Sequence, residues 1–356
     1  MTDERRVPTV PVDWDAAGTL AARIVRPGPR GDRAELTELV ASLRAAGEDA
    51  AGHIAEITAL EPADGLGVTQ VPLAQVLVVD RASWARANAE IFSHLVPGPL
   101  RAERPSPAGY AGATQVAGVL ALLSGKVLGQ FDPFSNPGPR GRLLLVAPNI
   151  LAVEREMEAD SADFRLWVAL HEVTHRTQFT GVPWLRHYFL GLVEELMGAV
   201  EPDPKRLFTA AGRIAEAVRT GRNPLDEGGV VALFATQAQR DAMERVGGLM
   251  SLLEGHGDVT MDRAAADQVP SAARFARVLR TRRKEANLAA KLLQRLIGLE
   301  AKLAQYEQGE RFIEVVEGVG GPALLNRVFE RPEHLPTLTE IREPQRWLDR
   351  IERSAA

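Results

Sequence analysis

His171-Glu172-Val173-Thr174-His175 lies near the middle of a 356-residue chain and continues as Arg176-Thr177-Gln178-Phe179. Two histidines four residues apart share one face of a helix, so their imidazoles can converge on one tetrahedral metal about 2.0–2.1 Å from each nitrogen. Glu172, between them, is placed to act on a metal-activated water. The pattern has this meaning only on a helix, and the flanks supply one. Asp160 or Ser161 can cap it, Phe164 to Leu170 propagate it, and Gly181 with Pro183 ends it. Phe164, Val168, His171 and His175 form one stripe, and Leu166, Leu170 and Val173 form another. A helix apolar almost all round belongs in a core. Two histidines and a glutamate buried there without partners would be costly, and a metal satisfies all three. The alternative is a pair of core or surface histidines with no ligand role.

Composition sets the outer bounds. Hydrophobic residues make up 45% of the chain, enough for a sizeable core. The formal net charge of −5 argues against a general electrostatic partnership with nucleic acid or acidic membranes. The chain has no cysteine, which removes disulfides and thiolate ligands and leaves His, Asp and Glu to hold a metal. No apolar h-region follows Met1-Thr2-Asp3-Glu4-Arg5-Arg6, and no apolar run approaches the roughly 18–20 residues that cross a bilayer. The expectation is a cytoplasmic protein acting on a peptide or protein, without nucleic acid or membrane partners.

Along the chain, helical spacing dominates. Residues 1–108 read as a mostly helical part, 109–270 as a core containing the metal site, and 271–356 as a helical C-terminal part, all within one unit. Val76 to Val79 reads as a short strand, with Asp80 capping a helix over Arg81 to Leu95. Phe131 to Pro139 reads as a loop by composition, and Arg142 to Ile150 as the clearest strand, one that could pair edge to edge with an extended peptide. Gln237 to Met261 is expected as a long helix. The cluster Arg274, Arg277, Arg280, Arg282, Arg283 and Lys284 reads as a solvated basic face, with nucleic-acid contact as the minor alternative. Leu335, Ile341 and Trp347, between prolines 332, 336 and 344, read as anchors of a surface strap. The expected class is mainly α, α+β, with a small sheet beside the metal helix.

A catalytic zinc takes three protein ligands and leaves a position open. Three residues compete for the third place. His187 falls on the polar side of its helix. Glu195 falls beside Trp184 and Tyr188 on the inward face of the same helix. Glu254 opens Glu254-Gly255-His256-Gly257-Asp258, where Glu254 and Asp258 share a face. Glu254 is preferred, because Asp258 one turn on could accept the second ring N–H of a ligand histidine and fix its tautomer. Gly247, Ser251, Gly255 and Gly257 would let this helix approach a neighbour closely. His256, one residue off that face, is a candidate substrate contact.

The two histidines with a later Glu-x-x-x-Asp resemble the gluzincin peptidases. The longer strings resemble the bacterial zincin-like metallopeptidases, some of which are associated with coenzyme F420 biosynthesis. These strings are Val127 to Phe134, His171 to Gln178 with Val182 to Arg186, Leu253 to Asp262, and Gln305 to Phe312. The resemblance implies a zincin-like fold over most of the chain and a Zn²⁺ cofactor. The expected chemistry is amide hydrolysis with His171, His175 and Glu254 as ligands and Glu172 as general base. Tyr306, with His256 behind it, is the candidate donor to the oxyanion. A protein of another class, a catalytically silent binder that keeps the zinc fold and serves cofactor metabolism, is the alternative.

Overall fold

A computed structural model describes residues 11–58, 60, 76–96, 101–102, 104–135, 141–198, 237–284 and 299–355. Among these, helix predominates and the strands form one three-stranded sheet. The chain divides into two compact units, one taking Thr9–His187 with Gly257–Arg280 and the other Tyr188–His256 with Thr281–Ala356.

In the first unit, helices α1 (Trp14–Ile24), α2 (Arg33–Thr58), α3 (Arg81–Leu95) and α4 (Pro107–Leu123) surround strands β1 (Val76–Val79), β2 (Gly129–Asp132) and β3 (Arg142–Val146). The caps follow the chemistry of their side chains. Asp13, Asp80 and Ser106 each accept a hydrogen bond from a backbone N–H in the first turn of α1, α3 and α4. The sheet order is β1-β3-β2, with β1 parallel and β2 antiparallel to β3. Its central position explains the Leu143-Leu144-Leu145-Val146 run, because a strand covered on both faces has no use for alternation.

Three expectations change here. Both edges of β3 are paired along the sheet, so no peptide can add to it; the outer strand towards the metal helix is β2. The run from Arg142 also stops being a strand at Val146, where Pro148 sits in the first turn of helix α5 (Ala147–Met157). Phe131 and Asp132, expected in a loop, complete β2.

Helix α6 (Ser161–Gly181) carries the histidine motif and begins at the Asp160 cap, whose side chain accepts from the Asp163 N–H. Phe164, Trp167, Val168, Leu170 and Val173 enter a core with Leu39, Leu43 and Ile54 of α2 and Leu143 and Leu145 of β3. Phe164 meets Phe275 edge to face, with ring centroids 5.2 Å apart. Phe275 belongs to α9 (Ala272–Lys284), and Arg274 of the same helix donates to the Met157 carbonyl at 2.6 Å.

The second unit contains helix α7 (Leu185–Gly198), most of the long α8 (Gln237–Gln268), and α10 (Leu299–Asn326). It closes with α11 (Leu338–Arg342) and α12 (Pro344–Ala355). Helix α8 outruns its expected end by seven residues. Its small residues face close neighbours. A Cβ on Gly255 would fall 2.4 Å from the Gly309 carbonyl carbon, and one on Gly309 would fall 2.0 Å from the Ser251 oxygen. Gly248 meets the Pro336 carbonyl in the same way. These are backbone-to-backbone approaches that no side chain fits. The C-terminal stretch carries helices, and its anchors Leu335, Ile341 and Trp347 are buried, Trp347 edge-on to Phe312. No helix among the described residues is long and apolar enough to cross a membrane.

Candidate metal centre

His171 and His175 project from one face of α6 with their rings nearly perpendicular, at 88°, and their centroids 4.7 Å apart. The surroundings decide which nitrogens face inward. His171 Nδ1 lies 3.3 Å from Asp258 Oδ1, and His175 Nδ1 lies 3.0 Å from Gln178 Oε1. A carboxylate and an amide oxygen only accept, so each Nδ1 is placed to donate there, and Nε2 is the nitrogen that a neutral ring offers to a metal. The two Nε2 atoms are 3.1 Å apart. Two lone pairs at that distance repel unless a cation lies between them. Ligands at 2.0–2.1 Å in a tetrahedron are themselves separated by about 3.3 Å.

Glu254 lies on α8 one turn before Asp258 and is 7% exposed. His171, His175 and Glu254 each offer one ligand atom, and these atoms lie within 4.8 Å of one another. Two imidazoles and a carboxylate are the donor set of many catalytic zinc sites, so the residues present fit the ion. Gly257 makes room on the other side: a Cβ there would meet His175 Cε1 at 3.2 Å and His171 Cε1 at 3.4 Å.

Glu172 is buried on the same helix, beside the start of β2. A Cβ on Gly129 would lie 2.5 Å from Glu172 Cγ and 2.9 Å from its Oε1. The carboxylate arm therefore occupies the space that any side chain at position 129 would take. Beyond this point the strand is pinned from several directions. Asp132 Oδ1 accepts from the Phe134 N–H at 2.9 Å, and its Oδ2 accepts from Arg142 Nε at 3.0 Å. Arg186 donates to the Pro133 carbonyl at 2.8 Å, and Phe179 packs against Phe131 and Phe134. Two stretches distant in sequence, 129–142 and 172–186, thus meet in one place.

The remaining candidates lie elsewhere. His187 is exposed. Glu195 does not face inward as its helical wheel implied; it is exposed and pairs with Arg245. That hydrogen bond raises the Arg245 guanidinium, while burial pushes the neighbouring Tyr188 hydroxyl up against the opposing pull of Arg245. His256 is buried with its ring edge-on to Phe329, centroids 5.3 Å apart, and is not among the three grouped residues. Tyr306 falls in α10, but its side chain lies outside the described residues. Two contributors carried no role in the sequence reading. Gln178 was detectable from its spacing three residues after His175, whereas Gly129 had no local signal, because the group that excludes a side chain there is forty-three positions away.

A helix bearing two inward imidazoles beside the outer strand of a small sheet defines a zincin-like architecture. The chain matches the family model of the zincin-like metallopeptidases over residues 12–348 and belongs to that family. It is also similar to the crystal structure of a proposed hydrolase with a novel fold from Chloroflexus aurantiacus. The TM-score is 0.68 at 30% identity, covering 96% of this chain and 99% of that one. No curated protein matches.

Proposed function

We propose that this protein is a zinc-dependent hydrolase of peptide bonds in which His171, His175 and Glu254 hold the metal. The observation that supports the reading is the 3.1 Å approach of the two histidine Nε2 atoms, in a group with Glu254 whose donor atoms could hold one metal ion. Bound zinc supplies Lewis acidity, which lowers the pKa of a coordinated water toward about 7 and polarises a carbonyl.

The protein residues do the rest. Asp258 and Gln178 keep both imidazoles in the tautomer that offers Nε2. Glu172, adjacent in sequence to the first histidine and buried against Gly129, takes a proton from the attacking water and returns it to the leaving amine. The proposed donor to the tetrahedral oxyanion is Tyr306, which a Tyr306→Phe variant tests by a loss in kcat with metal content unchanged.

The deciding experiment is turnover of a mixed peptide library by zinc-replete protein. Cleavage that is abolished by chelator and by Glu172→Gln, with one zinc per chain retained in that variant, is the expected result. Cleavage that survives Glu172→Gln removes the assignment. Zinc retained without turnover of any peptide would instead favour a silent zinc-fold binding protein.

A further inference from the structure

We infer that Gln178 is a positioning residue of the metal centre, holding His175 in its ligating tautomer with an uncharged oxygen. This rests on the zinc reading above and adds to it a role for a residue three positions beyond the second histidine. The two imidazoles are supported unequally. His171 is backed by the Asp258 carboxylate, whereas His175 is backed by an amide oxygen at 3.0 Å. Gln178 is 0% exposed, so its oxygen is shielded from the water that would otherwise compete for the Nδ1 proton.

Two physical consequences follow. An imidazole free to choose spends part of its time with the proton on Nε2, where it cannot ligate; an acceptor fixed at Nδ1 removes that population. Geometry makes the restraint efficient, because residues three apart on a helix are neighbours, so Gln178 and His175 move as one rigid turn. The neutral amide also limits the negative charge gathered at the centre. In the proposed centre Glu172, Glu254 and Asp258 already bring three carboxylates.

The test uses the full chain stripped of metal and two variants. Gln178→Met keeps the volume and removes the acceptor; Gln178→Glu keeps an acceptor and adds charge. Zinc affinity is measured by competition with a chromophoric chelator, and the His175 tautomer is read from ¹⁵N shifts of the metal-free protein. The inference expects Gln178→Met to bind zinc about 10–100-fold more weakly, with His175 shifting toward a tautomer mixture, while Gln178→Glu binds at least as tightly as the parent. A Gln178→Met protein with parental affinity and tautomer overturns it, as does equal weakening in both variants. His175→Ala separates the two levels. If it too retains parental zinc affinity, the zinc reading itself fails; if it loses zinc while Gln178→Met does not, only the role of Gln178 fails. The tautomer readout requires no bound metal, so poor loading cannot mask the result.

Discussion

Gly129 has no side chain because the arm of Glu172 lies where its Cβ would be, 2.5 Å from Cγ. The first residue of an outer strand is thereby coupled to the proposed general base, forty-three positions later.

Gly129→Ala forces Glu172 or the strand to shift by an ångström or more, and misplacement on that scale costs on the order of 10²-fold in rate. Zinc content is expected to be unchanged, since neither proposed ligand histidine is touched. Peptide turnover measured beside metal analysis checks this; parental kcat in Gly129→Ala would show that Glu172 does not depend on the contact.

Asp258→Ala removes the acceptor from His171 Nδ1. Metal affinity is expected to fall about 10–100-fold, and Asp258→Asn, which keeps an acceptor oxygen, should lose less. Isothermal titration of the metal-free proteins orders the three.

Chelation should lower the melting temperature. The proposed ligands are far apart in sequence and would be gathered only in the folded chain, so zinc at about 100 times its Kd is expected to add roughly 2.7 kcal/mol to stability. In His175→Ala the chelator-induced shift should vanish, as calorimetry with and without chelator would reveal.

Glu340 governs an acid-sensitive contact far from the histidines in sequence. It completes a capping box with Thr337 and accepts from Arg350 at 2.6 and 3.0 Å. Burial alone would raise its carboxyl, but the hydrogen bonds from Arg350 and the Thr337 backbone outweigh that and hold it below the ordinary 4.5. A depressed folded-state value means that the stabilisation is fully present above about 4.5 and is lost as pH falls through the lower folded value. Glu340→Gln should cost about 1–2 kcal/mol at pH 7. The gap between variant and parent, followed by chemical unfolding, should narrow as pH falls below 4.5.

Much of the local structure was legible in the residues. Asp80 and Asp160 are caps, Val76–Val79 is a strand and 161–181 a helix because each depends on interactions within a few residues. The close glycine approaches of α8 were also readable, since small residues at helical spacing serve few other ends. Glu195 was misread because a helical wheel shows which face a residue shares, not which face is buried; the exposed Arg245 pairing decided that. The end of β3 was misread because an apolar run alone does not distinguish a strand from the helix that Pro148 begins.

By itself the sequence determined which side chains could ligate: spacing on a helix is a property of the backbone, and with no cysteine the donors are limited to nitrogen and oxygen. It also determined that Glu254 and Asp258 share a face. Only the tertiary structure decided that Asp258 lies beside His171 Nδ1 and that Gly129 yields its space to Glu172. Those are distances between segments far apart in the chain, set by how the core packs, and no local pattern encodes them.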